Sequence, residues 1–115
     1  SSTCLNLNIK PNVEIISNKK IEIVNNKKEI RCIENENIFL ACNIYYGEEK
    51  SSSIPKWMVE NSNFTFKEEE LNNTINLYNI GIELSGVYSC YYENVYDSID
   101  IVVEKEEFNS KLFKL

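Results

Sequence analysis

The chain has 115 residues, with 18 acidic against 12 basic side chains, no histidine and a formal net charge of −6. That length serves one domain with one core, and the acidic balance argues against nucleic acid, whose phosphates call for a basic stripe. Without histidine no Ser-His-Asp or Cys-His nucleophile can be assembled, and no apolar run approaches the ~20 residues of a membrane span.

In chain order, Val13-Glu14-Ile15 and Ile21-Glu22-Ile23 alternate apolar and polar between Asn/Lys clusters, the pattern of short half-buried strands. An apolar strand follows over 37–42, ending in Cys42, and then a polar loop over 47–53. Pro55 opens the next strand, over 55–59, where its missing N–H costs no ladder bond. Asn63-Phe64-Thr65 and Asn72-Asn73-Thr74 are glycosylation acceptor triplets, expected to be used in a secretory host. The charge run over 67–70 reads as a solvated turn. Residues 74–78 alternate again, and 87–92 with 98–103 form a last pair around a turn at 93–97. Beyond 105 the pattern decays into a charged tail, 105–115. Short strands with polar turns between them predict an all-β antiparallel sandwich or barrel, with one domain spanning 1–115.

The carboxylate groups Glu48-Glu49, Glu68 to Glu70 and Glu106-Glu107 lie in polar runs, without apolar neighbours to raise a pKa for acid–base work. The four cysteines, at 4, 32, 42 and 90, contain no C-x-x-C knuckle for zinc. There is no Gly-rich phosphate loop. The expectation is a protein that is not an enzyme and holds neither metal nor cofactor. Four cysteines also suit an oxidising compartment, and a chain that opens on Ser1 without a leader reads as a mature or trimmed ectodomain.

Cys42 ends a strand, Trp57 lies 15 residues later on the next, and Cys90 comes 48 residues after Cys42, with Tyr88 two places before it. Together with Ile75-x-Leu77-x-x-Ile80 and Ser85-Gly86-Val87-Tyr88-Ser89-Cys90, this arrangement resembles the immunoglobulin superfamily. The resemblance implies a disulfide between Cys42 and Cys90 across two sheets, Trp57 packed against it, and Tyr88 as the tyrosine corner. The family's usual Asp two residues before the Gly is replaced by Leu84, beside Glu83, so its salt bridge is expected to be missing. The short cysteine spacing implies an intermediate- or constant-like sandwich. For Cys4 and Cys32 the pairing stays open among the three that four cysteines allow. A Cys4–Cys32 bridge is the simplest and would tie down the segment 1–20. The alternative is a bridge between chains, giving a disulfide-linked homodimer, for which the charged neighbourhood of Cys32 (Glu29, Arg31, Glu34) is the motive.

Narrower matches are Cys4-Leu5-Asn6-Leu7-Asn8-Ile9, the aliphatic strand into Cys42, and Trp57-Met58-Val59-Glu60-Asn61-Ser62-Asn63-Phe64. In these the chain resembles the interleukin-18-binding proteins of vertebrates and poxviruses. It departs from them in holding Ile44 and Tyr45 where the family has a second strand cysteine, and in its upstream Cys32. The resemblance implies a secreted decoy that holds interleukin-18, or a related cytokine, away from its receptor. Phe64 is the implied anchor, with Phe66 beside it. Tyr45 and Tyr46 would add interface aromatics, and Glu48, Glu49, Glu68 and Glu69 a negative rim. The alternative is an immunoglobulin-type adhesion or receptor ectodomain cut from a membrane protein.

Overall fold

The computed structural model describes residues 9–61 and 73–106, together with the backbone course of 65–69. Within them ten strands form two sheets. The first sheet takes β1 (Pro11–Ser17), β4 (Ile38–Tyr46), β5 (Glu49–Lys50) and β8 (Thr74–Leu77). In it β4 is central, with β1 along one edge and β5 and β8 along the other. The second sheet runs β2 (Glu22–Val24), β3 (Lys27–Ile33), β10 (Val95–Glu104), β9 (Gly86–Tyr92), β6 (Lys56–Glu60), β7 (Thr65–Glu69).

Alternation explains why these segments are strands. Val13 and Ile15 of β1, Ile38, Leu40, Cys42 and Ile44 of β4, and Ile99, Ile101 and Val103 of β10 are buried at every second position. A period of two puts one set inward and the other outward. Each of these aliphatic side chains contributes roughly 1.5–3 kcal/mol on burial. Ile30 of β3 and Ile80, after β8, complete the core. Cys42 and Cys90 are bonded across the two sheets with their Cα atoms 6.4 Å apart. Trp57 stands directly opposite Cys90 on the neighbouring strand, buried with it. The Tyr88 hydroxyl donates to the Leu84 carbonyl at 2.7 Å, just after the 3₁₀ turn Ile82–Leu84. This is the corner that the sequence pointed to, and it satisfies a buried phenol. Glu83 makes no ion pair among the described residues.

The architecture is an immunoglobulin-like β-sandwich. A single strand, β7, lies beyond β6, which puts the sandwich between the constant and variable layouts. The expected antiparallel arrangement has one exception: β3 runs parallel to β10, Ile30 opposite Ile101. This follows from the first part of the chain serving both sheets, β1 beside β4 and then β3 beside β10.

Several expectations are corrected. The charge run 67–70, read as a solvated turn, lies largely within β7, because a sheet edge tolerates and even favours charge. The turn between the last strands is two residues, Glu93 and Asn94, and β10 starts at Val95. Within the segment 21–23 only Ile21 is half-buried, packed against the core; β2 itself is exposed throughout, as the outer arm of a hairpin with β3. That hairpin turns at Asn25 and Asn26, with φ of 52° and 64°, the left-handed pair a tight hairpin needs. Cys32 is not a surface thiol among charges. Arg31 and Ile33 face out while Cys32 faces the core, 4% exposed and unbridged, and Cys4 lies outside the described residues.

Candidate protein-binding surface

Three stretches meet at one end of the sandwich: the β4–β5 turn, residues 51–55 leading into β6, and the Glu93-Asn94 turn between β9 and β10. In immunoglobulin sandwiches loops cluster in this way at each end, carried by the sheets. The hairpin of β4 and β5 sets Tyr45 opposite Lys50 and Tyr46 opposite Glu49. Tyr46, on the inward row of β4, reaches the same end as Tyr92 of β9, and its hydroxyl donates to the Tyr92 hydroxyl at 3.3 Å. Tyr92 donates in turn to Ser53 Oγ at 3.1 Å. Ser51 Oγ donates to Ser53 Oγ at 2.9 Å and accepts from the Ser53 N–H, which fixes the 51–53 bend. The bond to Tyr92, with lesser help from burial and the charge of Glu93, pushes the Tyr46 phenol up to about 12. It therefore stays a neutral donor across physiological pH.

On the outward face of the second sheet, next to this end, Tyr91 and Tyr96 stand opposite each other on β9 and β10. Their rings stack with centroids 5.5 Å apart and planes 28° from parallel. Lys56 lies opposite Tyr91 on β6, and Met58 opposite Ser89. Ile54, Lys56, Met58, Tyr91, Tyr92 and Glu93 line a groove of about 620 Å³. Ile54 at 59% exposure and Tyr96 at 64% leave large apolar surface in water beside it. Aromatic rings with a polar tip and a methionine that adapts its shape are the material of protein contact surfaces. Among the described residues no cluster of Cys, Asp or Glu is arranged to hold a metal.

The residues named from sequence fall as follows. Tyr45, Tyr46, Glu48 and Glu49 come together at the β4–β5 turn, with both glutamates exposed. Tyr46 is part of the hydroxyl chain and not a free interface ring, while Tyr45 is on the outward row of the other sheet. Phe66, Glu68 and Glu69 are on β7, Phe66 opposite Val59 and Glu69 opposite Trp57. Phe64, Asn63 and Asn72 lie outside the described residues. Tyr91 and Tyr92, adjacent on β9, point to opposite faces, Tyr92 inward and Tyr91 out. Sequence reasoning missed Ile54 and Met58. The signal was available, since Met58 alternates with the buried Trp57 and Val59 and must face outward.

No family model matches the chain, and no curated protein is similar to it. Among solved structures it is similar to the I9–I11 tandem from titin, at 13% identity and a TM-score of 0.49. That match covers 80% of this chain and 34% of the tandem, so the chain spans about a third of its length. It is also similar to an IG27 protein domain, at 10% identity and a TM-score of 0.49, covering 81% of this chain and 96% of that domain.

Proposed function

We propose that this immunoglobulin-like domain is a secreted binding protein that captures interleukin-18 or a related cytokine and keeps it from its receptor. The observation that carries the binding role is the stacked Tyr91–Tyr96 pair beside the groove, with Ile54 exposed next to it. A solitary domain gains nothing by keeping this apolar surface wet, and contiguous patches of this kind mark contact sites. The choice of a cytokine as ligand rests on the resemblance carried by Cys4 to Ile9, the strand into Cys42 and Trp57 to Phe64. Phe64 is then the anchor and Tyr96 a second contact.

The test is capture from a panel of purified cytokines on the immobilised chain, followed by kinetics with two variants. Tyr96→Ala and Phe64→Ala are each expected to weaken binding by thirtyfold or more, equivalent to about 2 kcal/mol, mostly through faster dissociation. The Tyr96→Ala melting temperature should stay within a few degrees of the parent, since the ring is largely exposed. Capture of no cytokine overturns the decoy reading, and a cell-surface adhesion partner would then be the ligand to seek. Cytokine capture with unaltered kinetics in a folded Tyr96→Ala chain removes the β9–β10 face from the site.

A further inference from the structure

The other sheet has an outward face of different character. Ile16 of β1, Phe39 of β4 and Tyr78, just after β8, are all exposed large apolar side chains, Tyr78 at 63%. They are contiguous: Phe39 and Tyr78 meet edge to face with centroids 5.6 Å apart. Ile16 lies opposite Ala41, the next outward residue of β4 after Phe39. What surrounds them is neutral amide, Asn12 on β1 and Asn76 on β8, the latter opposite Phe39. Among the described residues that this sheet turns outward, only Glu14 and Lys50 are charged, one of each sign. The outward face of the second sheet carries Glu22, Glu29, Glu60, Asp100 and Glu104, with Lys27, Arg31 and Lys56 among them.

We propose that the face built from β1, β4 and β8 pairs with a second copy of this chain. Charge identifies the occupant. In a twofold dimer the same patch meets itself, so any excess charge on the patch is set against its own sign, at a cost of several kcal/mol for close pairs. For a chain carrying −6, self-contact is least opposed through a surface without net charge, and this face is electrically balanced around an apolar centre. A basic or acidic partner would find little on it to recognise. The dimer formed this way needs no interchain disulfide. It leaves the Tyr91–Tyr96 face, on the opposite side of the sandwich, open on both copies.

Sedimentation equilibrium of the whole chain from about micromolar to about millimolar tests this. The apparent mass should rise from the 13.4 kDa protomer toward twice that value. Asn76→Glu and Tyr78→Glu each put like charges into the self-contact, and each should weaken association tenfold or more. Both side chains are exposed, so both variants should keep the parent melting temperature within a few degrees. Raising salt from about 0.01 M to about 1 M shortens the screening length from about 30 Å to about 3 Å. It should tighten the dimer by relieving repulsion between the acidic copies, whereas an interface of opposite charges would loosen. A monomer across the whole range overturns the proposal, as does a dimer that survives both substitutions or one that disappears only on reduction. Cytokine capture by the other face is measured separately, so failure of the dimer and failure of the binding role are distinguishable.

Discussion

Cys32 and Tyr88 share the core, and each is held in its protonated form. Burial pushes the Cys32 thiol above its ordinary value, the charge of Glu36 acts in the same direction, and Lys19 opposes them. Burial, and then the charge of Cys32, push the Tyr88 phenol up to about 12. A group whose folded value is raised stabilises the fold fully below its unfolded value, and that stability is lost as pH rises through the folded one. The unfolded thiol ionises near pH 8.5 and the unfolded phenol near pH 10. Urea midpoints measured from about pH 7 to about pH 12 are therefore expected to fall in two stages. The first begins above about pH 8.5, and the second extends between about pH 10 and about pH 12. Cys32→Ala should abolish the first stage and keep the second. A flat profile up to about pH 10 in the parent chain would contradict the burial of the thiol.

Between strands, the least obvious contact is the one that closes the free edge of β1. The Ile15 N–H, facing away from β4, donates to Asp97 Oδ2 of β10 at 2.8 Å. Lys28 of β3 donates from Nζ to the same oxygen at 2.5 Å and to the Ile15 carbonyl at 3.1 Å. One carboxylate and one ammonium, each only partly exposed, thus tie three strands from two sheets where no strand ladder joins them. Asp97→Ala leaves the Ile15 N–H without its acceptor and the half-buried ammonium with only the Ile15 carbonyl, and should cost about 2–3 kcal/mol. Lys28→Met should cost less, because Ile15 keeps its acceptor. Thermal melts, at about 4–8 °C per kcal/mol for a small domain, would show the order. None of this clamp is legible in the sequence, where Asp97 reads as part of a turn and Lys28 as one of a lysine pair. The strands β1, β4, β6, β8, β9 and β10 were legible because their inward rows are apolar. β3 was not, since Lys27-Lys28-Glu29-Ile30-Arg31-Cys32-Ile33 holds only two core residues and looks like a charged loop. β7 escaped for a related reason: an edge strand protects itself with charges that also suit a turn. Of the candidate surface, Tyr45 and Tyr46 were visible, but the pairing of Tyr91 with Tyr96 depended on a two-residue turn that had been read as five.

At the scale of the whole molecule, the two sheets present chemically different outsides, one aromatic and acidic at its margin, the other amide-rich and balanced. The fold also has a direction. β1 begins with Pro11 beside Tyr46, at the end that carries the candidate site, and β3 and β10 run the same way. The ten residues of β10 carry the chain away from that end over about 33 Å. Residues 9 and 10 therefore emerge beside the groove, whereas residues 105 and 106 emerge at the far end of the sandwich. An attachment on the C-terminal side would present the groove outward like the tip of a probe, and one on the N-terminal side would press it toward whatever holds it. On a sensor surface, capture through a C-terminal tag should give near-full ligand capacity, and capture through an N-terminal tag a clearly reduced one. Equal capacities would mean that the ligand contacts the opposite end.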